Sequence, residues 1–394
     1  MLKNISTKLI MALGLMLLIA GIFTSSSVSA APVNPAFNDD NFYNCVIDRL
    51  NAANVDGVND RVYTYNATDG ELLQLTSLTC IGQGKADSLK ITSAMGLNKL
   101  TSLTELELQY NLLTTIDVTK NMALTRLSFN YNNLTAIDVT NNTALTYLDL
   151  DSNNIRIIDV TNNTALTGLD LEDNSLTTID VTNNTALTSL ALSNNSLTTI
   201  DVTNNTALTR LFLEDNQITA IDITKNTNLT WLYFWQNRLA TIDLTKNTAL
   251  TIIFLQDNLL TDIDVSKNVL LRELYLSDNL LTHLDVTKNT QLTDLYLLGN
   301  QICTLDITQN TLLLPANLKW VAWTGECYVP EVVPEIIPET IPETAAETTP
   351  VTVPTAPNTA IQKFILANPV IVAALGITTA AAIFMAARRQ LGKK

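Results

Sequence analysis

The residue types that could do chemistry in this chain are carboxylates and aromatic rings, and they recur at a fixed spacing. An aspartate stands at one constant interval from Asp117 to Asp306, whereas the 394 residues contain a single histidine, His283. One histidine cannot build a His-rich metal site or a His-based acid–base pair. Carboxylates repeated along a surface also imply no pocket of the kind that a glycosidase pair needs. We therefore expect no catalytic residues and predict a binding protein, not an enzyme.

The aspartates belong to a 21-residue unit that fills 103–312 without an insertion. Ten units begin at Leu103, Leu124, Leu145, Leu166, Leu187, Leu208, Leu229, Leu250, Leu271 and Leu292. Each has the leucine-rich-repeat pattern L-x-x-L-x-L-x-x-N-x-L. One such unit cannot bury its apolar face alone, but stacked units share a continuous core. The sequence therefore predicts a mostly β, α/β leucine-rich-repeat solenoid with a parallel β-sheet on its concave face.

Three polar ladders accompany the repeat. Asparagines at the ninth position, from Asn111 to Asn300, would bond to backbone groups in the turns, and a second asparagine ladder recurs further along each unit. The ladder from Asp117 to Asp306 has two interpretations. Each carboxylate accepts from turn N–H and Thr hydroxyl groups, or the row binds calcium, a hard cation that takes oxygen ligands. We favour the structural interpretation, because one carboxylate per unit is sparse for calcium, and we expect no other metal and no cofactor.

Alternating strand positions divide the predicted sheet into two faces. The fourth and sixth residues of a unit, such as Leu106 and Leu108, point to the core, and the third, fifth and seventh point to the concave side. Along the array, the side chains at the concave positions change from acidic in the early units to aromatic in the later ones. The acidic concave patch is formed by Glu105, Glu107, Asp149, Asp151, Asp170 and Glu172. The aromatic residues of the later units, with one from the segment that follows, are Phe212, Trp231, Tyr233, Trp235, Phe254, Tyr275, Tyr296 and Trp320.

These aromatic residues have two interpretations. Exposed contiguous rings mark interaction sites, and Tyr and Trp are enriched at binding hot spots. The rings could instead stack across strands and stabilise the sheet, at about 0.2–1 kcal/mol per pair. We favour partner binding, because a role in sheet stability alone would not explain why such a cluster is absent from the first five units. Sugar ligands are an alternative, since Tyr and Trp also stack on sugar faces.

Both ends of the chain carry membrane-targeting features. Residues 1–30 run from two lysines through an apolar stretch to Val-Ser-Ala, the order of a cleaved secretory signal peptide. Residues 364–387 hold no charge and would reach about 36 Å as a helix, enough to cross a bilayer core. The basic tail 388–394 then places the carboxyl terminus in the cytoplasm. We predict an exported, single-pass surface protein. The segment Ala356–Ala360 looks like a degenerate sortase signal, so attachment to the cell wall is the alternative.

The remaining segments are an amino-terminal cap with partial repeats, a carboxyl-terminal cap and a Pro/Glu/Thr-rich stalk, at 31–102, 313–328 and 329–363. A helix is expected around Asp40–Ala52. Export permits disulfides, and four cysteines allow three connectivities. Of these we predict the two local pairs, Cys45–Cys80 and Cys303–Cys327. The formal net charge of −15 disfavours a nucleic-acid partner.

The repeat region resembles the internalin-type surface proteins of bacteria, some of which have 21-residue units ending in Asp-Val-Ser/Thr-Lys-Asn-Thr-x-Leu. The matching stretch here is Ile137-Asp-Val-Thr-Asn-Asn-Thr-Ala-Leu145 with its repeats, and Ala36–Val46 is similar to the helical cap that precedes such repeats. The resemblance covers 103–312. It implies adhesion, by binding a protein on a host or neighbouring cell. A carbohydrate-binding or cell-envelope scaffolding module is the alternative function.

Overall fold

The computed structural model describes residues 37–53 and 67–320, which lie within one compact unit, Met1–Val333. The predicted signal peptide, stalk, membrane-spanning segment 364–387 and basic tail lie outside the described residues. Within the described ranges, no helix is both long enough and apolar enough to cross a membrane.

In the part of the chain that the structure describes, twelve short strands form one parallel sheet, and each strand pairs with the next along the chain. They are β1 Ser77–Thr79, β2 Glu105–Glu107, β3 Arg126–Ser128, β4 Tyr147–Asp149, β5 Gly168–Asp170, β6 Ser189–Ala191, β7 Arg210–Phe212, β8 Trp231–Tyr233, β9 Ile252–Phe254, β10 Glu273–Tyr275, β11 Asp294–Tyr296 and β12 Leu318–Lys319. From β2 to β11, the strands follow one another with the period of the sequence repeat. This parallel solenoid confirms the predicted fold, whereas the capping role of its ends stays a prediction.

The leucines of the strands fill one continuous core. The central residue of each strand from β1 to β11 is buried, and so is the residue that follows the strand. Leu106 and Leu108 are both 0% exposed, as predicted for core-facing positions. Burying one such side chain stabilises the fold by about 1.5–3 kcal/mol relative to leaving it in water. The burial occurs between neighbouring turns, so the turns depend on each other for stability.

Two α-helices precede the array, α1 Asp40–Ala53 and α2 Asp69–Leu72. Three single-turn 3-10 helices lie at Asp87–Leu89, Leu97–Lys99 and Pro315–Asn317. The apolar residues Phe42, Val46 and Leu50 recur every four positions, so they share one face of α1. All three are fully buried and belong to the same core as the strands. The helix predicted around Asp40–Ala52 is therefore present, and it extends the core beyond β1.

Covalent and polar contacts hold α1 in place. The predicted disulfide Cys45–Cys80 is confirmed, and it joins the helix to the residue after β1. Asp39, directly before the helix, accepts the Phe42 N–H at 3.0 Å, which satisfies one of the open donors of the first turn. Cys303 is also disulfide-bonded. Its predicted partner, Cys327, lies outside the described residues.

Each turn of the array bends through a residue in the left-handed region. Nine successive units have φ between 48° and 60° at the eighth position, and Gly299 has φ 76° in the tenth. The nine residues are Tyr110, Tyr131, Ser152, Asp173, Asn194, Asp215, Gln236, Asp257 and Asp278. This conformation costs an L-residue roughly 1–2 kcal/mol, less for Asn and Asp. A Cβ at Gly299 would also meet the Asp278 side chain, which would have to move.

Two columns of buried asparagines connect one turn to the next. In the ninth-position column, Asn132 Oδ1 accepts the Leu113 N–H of the preceding turn at 3.0 Å. In the other column, the Asn142 side-chain amide donates to the Val118 and Asn121 carbonyl groups at 3.0 and 2.8 Å. The same bonds recur along the array. Buried backbone groups need such partners. The ninth-position ladder bonds to backbone as the sequence predicts, and the second asparagine ladder does the same.

Candidate binding face

The sheet face opposite the core, which we call the outer face, carries three columns of side chains. The first and last residues of each strand form the third-position and fifth-position columns, and the seventh-position column follows two residues later. Because the strands pair in register, neighbouring members of a column lie about 4.8 Å apart. This is the face that the sequence assigns to the partner.

Five rings of the fifth-position column form a continuous series, the aromatic row: Phe212, Tyr233, Phe254, Tyr275 and Tyr296. Successive ring centroids are 5.0, 4.5, 4.2 and 4.4 Å apart. The rings partly bury one another, and Tyr233 is only 9% exposed. Such pairs contribute about 0.5–1.5 kcal/mol each beyond the area that they bury. The row therefore stabilises the sheet and also presents ring surface to solvent.

Two of the predicted tryptophans lie beside the aromatic row. Trp231 and Trp235 occupy the third-position and seventh-position columns of the same turn as Tyr233, and both are half-buried. The Arg210 guanidinium lies over the Trp231 ring, 5.8 Å from its centroid, which is within cation–π range. These two indoles widen the row into a patch at β8.

Trp320 does not extend the aromatic row. Lys319 pairs with Tyr296 and so takes the next fifth-position place. Trp320, one residue later, aligns with the core-facing Leu297 and packs against the core. The prediction that it continues the row is wrong, because the insertion before β12 changes which residue reaches each column.

The aromatic half of the face also carries partly buried acidic side chains. Glu273 and Asp294 stand in the third-position column beside the tyrosines. Burial, and then the Asp294 carboxylate, raises the pKa of Glu273. Burial likewise raises the pKa of Tyr275, with Glu273 as the next cause. The tyrosine hydroxyls of this half therefore remain protonated at every physiological pH.

A group of carboxyl side chains lies on the outer face between β4 and β7. It comprises four residues that the sequence singled out and one that it did not, and we call it the acidic cluster: Asp149, Asp151, Asp170, Glu172 and Glu214. Asp149, Glu172 and Glu214 are only 7%, 5% and 4% exposed. The sequence suggests solvated charges here. Instead, these side chains cover one another across neighbouring strands.

Burial controls the protonation of the acidic cluster. It raises the pKa of Asp151 to about 7. Burial, followed by the Asp170 and Glu214 charges, raises the pKa of Glu172 to about 9. The pKa of Asp170 lies well above its ordinary value, first because of burial and then because of Asp149. Removing carboxylates from water and placing them together both disfavour the charged form, so the cluster holds protons at neutral pH.

Hydrogen bonds from hydroxyl and backbone N–H groups reach the acidic cluster. Ser128 Oγ donates to Asp149 Oδ2 at 2.9 Å, and the Glu172 N–H donates to Asp170 Oδ1 at 3.2 Å. Among the described residues, no Lys or Arg forms an ion pair with Asp149, Asp170 or Glu172. Ser152 Oγ also donates to Asp151 Oδ1 at 2.9 Å, and the Asp151 N–H donates to Asp149 Oδ1 at 3.2 Å.

The other two residues of the predicted acidic patch lie apart from the cluster. Glu105 is exposed, and Glu107 Oε1 forms an ion pair with Arg126 Nε at 3.3 Å. The same guanidinium lies 4.1 Å from the centroid of the Tyr147 ring. That ring packs onto Gly168, where a Cβ would be too close to it. Burial, and then the nearby carboxylates, raises the pKa of Tyr147 to about 12. The predicted patch thus divides into a paired part and a buried part.

The ladder from Asp117 to Asp306 has one recurring geometry. In a representative unit, Asp201 Oδ1 accepts the Thr203 N–H at 2.9 Å and its hydroxyl at 2.7 Å. These bonds lower the pKa of Asp201. In the described ranges, no group of three or more His, Cys, Asp or Glu side chains is placed to hold a metal ion. The geometry supports the structural interpretation of the ladder, and calcium binding there remains the alternative prediction.

Residue types alone did not single out three side chains that the structure places on the outer face. Glu214, Ser193 and Tyr147 each stand on the same face as the acidic patch. The available signal was the column alignment, which sets Ser193 between Glu172 and Glu214 on successive turns. Column membership can be read from the repeat, but it does not tell which side chains cover each other.

The fold and its outer face define a solenoid of the leucine-rich-repeat type. No family model matches the chain, and no curated protein matches it. Among solved structures, the chain is similar to the functional domain of InlJ from Listeria monocytogenes, with 37% identity over 71% of this chain and a TM-score of 0.65. The chain spans 59% of the length of that domain.

Two further structures show the same fold. One is the internalin InlF from Listeria monocytogenes, with 24% identity, 69% of this chain and 85% of that chain covered, and a TM-score of 0.55. The other is a leucine-rich-repeat protein of Leptospira interrogans, with 26% identity, 62% and 72% covered, and a TM-score of 0.55. The InlJ domain includes a cysteine ladder. The buried ladders of this chain are asparagines.

Proposed function

We propose that this chain is an internalin-type, adhesin-like binding protein that recognises a protein on a host or neighbouring cell through the outer face of its sheet. The aromatic row carries the proposal. Its five rings on adjacent strands extend over about 19 Å, at about 4.8 Å per strand. Trp231 and Trp235 widen it to a patch of the residue types that dominate binding hot spots.

Packing of the rings favours binding by this patch. Each ring of the row is in contact with the next, so its orientation is set before a partner arrives. Pre-ordered side chains lose little conformational entropy on binding. Protonated tyrosine hydroxyls add donors at the edge of an apolar surface. We infer no catalytic role for this face.

The experiment uses the full-length protein on beads and measures binding to cells. We expect the double variant Trp231→Ala with Trp235→Ala to reduce bead binding at least tenfold, because it removes the two half-buried indoles that widen the patch. Tyr233 is unsuitable for this test, since it is almost buried between two rings and its loss would also destabilise the sheet.

The matched control is Met122→Ala with Ile157→Ala. These side chains are 62% and 70% exposed and belong to none of the three columns of the outer face. Their loss should leave bead binding unchanged. Equal binding by the tryptophan variant and the wild-type protein would show that the patch is not the binding surface.

Carbohydrate binding is the second candidate, and the half-buried indoles of Trp231 and Trp235 favour it. Tryptophan rings beside the aromatic row also suit the faces of sugars. A glycan array with the same variants separates the two functions. If the wild-type protein binds glycans and the tryptophan variant does not, the protein is a carbohydrate-binding or envelope-scaffolding module.

We further propose that the protein is exported and anchored at the cell surface. The support comes from the sequence of segments outside the described residues: the signal peptide 1–30, the apolar segment 364–387 and the basic tail 388–394. Attachment to the cell wall through Ala356–Ala360 is the alternative anchoring chemistry.

A further inference from the structure

Strand β6 lies where the acidic cluster meets the aromatic row, and it presents only small side chains to the outer face. These are Ser189 and Ala191 and, two residues further, Ser193. The fifth and seventh positions of the neighbouring turns carry the larger side chains Asp170, Glu172, Phe212 and Glu214. By side-chain size, β6 is therefore a low strip between larger neighbours, which we call the β6 groove, and Ser193 at its end is covered by those neighbours.

A buried hydroxyl without a partner lies in this groove. Ser193 stands between Glu172 and Glu214 in the seventh-position column. Its side chain is fully buried, and among the described residues its Oγ has no hydrogen-bond partner. Buried polar side chains in folded proteins almost always have one. Its neighbours in the column are two carboxyl side chains, those of Glu172 and Glu214.

Two carboxyl groups along this groove, those of Asp170 and Glu172, have no cationic partner among the described residues. The two arginines nearest on the outer face are engaged elsewhere. Arg126 pairs with a glutamate of β2, and Arg210 lies over the Trp231 ring. A group that complements this groove would therefore be positively charged and would carry several hydrogen-bond donors.

We propose that the β6 groove receives a lysine or arginine side chain of the bound protein. This inference rests on the proposed function, since it names part of the partner's chemistry. The ammonium or guanidinium group donates to Asp170, Glu172 and the Ser193 hydroxyl. The aliphatic stem lies on Ala191 against Phe212, because long basic side chains bury their stems on apolar surface and keep their charged ends hydrogen-bonded.

A basic side chain fits the groove better than a metal ion. Among the described residues, no three carboxyl groups converge closely enough to hold a metal. Lysine offers three donors and arginine five, on a flexible stem that can reach carboxyl groups of different strands. Phe212 at the edge of the groove adds a ring that attracts cations.

The protonation of the acidic cluster provides an independent observable. Burial raises the pKa of Glu172 to about 9, and the titratable groups that face it are Asp170, Glu214, Asp151 and Asp173. A bound cation favours the charged form of these groups. Binding near neutral pH must therefore release protons. A cation that is attracted only to ordinary exposed carboxylates releases none.

The test uses the full-length protein and a labelled peptide of ten lysines, at about 0.15 M salt to screen weak surface attraction. Fluorescence anisotropy gives Kd. Asp170→Asn with Glu172→Gln removes the ionisable groups at nearly constant size, and Ala191→Phe fills the groove without changing them. We expect each variant to raise Kd about tenfold, or about 1.4 kcal/mol. Calorimetry in two buffers should show proton release for the wild-type protein and less for the first variant.

The matched control is Asp48→Asn with Glu105→Gln, which removes two exposed carboxylates away from the groove. It should change Kd less than about twofold, because exposed charges contribute little. Equal weakening in the control, or unchanged binding by Ala191→Phe, would overturn the proposal. The proposal would also be overturned if calcium displaced the peptide from the wild-type protein but not from the groove variants. Because the two groove variants differ in kind, misfolding of one leaves the other as the test.

Failure of the β6 groove proposal can be distinguished from failure of the proposed function. Trp231→Ala with Trp235→Ala leaves the groove intact and should bind the lysine peptide as the wild-type protein does. If cells do not bind but the peptide still does, the adhesion proposal fails and the basic-side-chain site stands.

Discussion

Carboxyl groups behave in two opposite ways in this molecule, according to the column in which the repeat places them. In the turn ladder, Asp201 is exposed and accepts two hydrogen bonds from Thr203, which lower its pKa. On the outer face, Glu172 is buried among other acids, which raises its pKa. The first group stabilises the fold when it is charged, and the second when it is neutral.

The second behaviour predicts a pH dependence of stability. The raised pKa of Glu172, about 9, means that the folded protein keeps a proton that the unfolded chain releases. Its contribution to stability is complete below the ordinary pKa of glutamate and is lost as pH rises towards 9. We expect Glu172→Gln, which stays neutral, to be more stable than the wild-type protein at pH 9 by on the order of 1–3 kcal/mol, and similar at pH 5. Urea unfolding at both pH values measures this.

Glu105→Gln is the control for this prediction, because Glu105 is an exposed acid of the same face. It should leave the pH dependence of unfolding unchanged. A Glu172→Gln variant that loses stability with pH as steeply as the wild-type protein would contradict the assigned burial.

At the scale of the element, the strands are too short to be stable alone, and the asparagine ladders supplement their pairing. Asn205 is fully buried, and its amide donates to the Val181 and Asn184 carbonyl groups, both at 2.9 Å. We expect Asn205→Ala to destabilise the protein by about 1–3 kcal/mol, because it removes both bonds in a buried site. Equilibrium unfolding in urea gives the difference in free energy.

The neighbouring residue Asn204 serves as the control. It is exposed and donates one bond, to Thr182 O at 3.2 Å. Asn204→Ala should change the free energy of unfolding by less than about 0.5 kcal/mol. Similar losses for both asparagines would mean that the buried ladder contributes no more than an exposed side chain.

The strands also show how far the site could be predicted. Residues of the aromatic row are correctly assigned to one face, because the period of the repeat and the alternation along a strand determine that face. Trp320 was misplaced because the interval between β11 and β12 differs from the period of the repeat. Burial of Glu172 could not be predicted, since it depends on how side chains of adjacent turns lie over each other.

At the scale of the whole molecule, the solenoid is a one-dimensional stack whose ends have only one neighbour. The Cys45–Cys80 disulfide closes a separation of 35 residues at the amino-terminal end. We expect Cys45→Ser with Cys80→Ser to lower stability by about 2–4 kcal/mol. Hydrogen exchange should become faster in α1 and β1 and remain unchanged around β6, because each turn contacts only its neighbours. Uniformly faster exchange would contradict this one-dimensional behaviour.

The sequence by itself determined the repeat, the parallel sheet, the two faces and the columns, because a fixed period leaves a stacked chain only one register. It also placed rings and acids on the same face. The tertiary structure decided which of these side chains meet solvent. Phe212 and its neighbours partly cover one another, Glu172 and Glu214 enclose Ser193, and β6 is left as a floor of small residues. Those relations depend on side-chain size and direction across adjacent turns, which no single repeat unit contains.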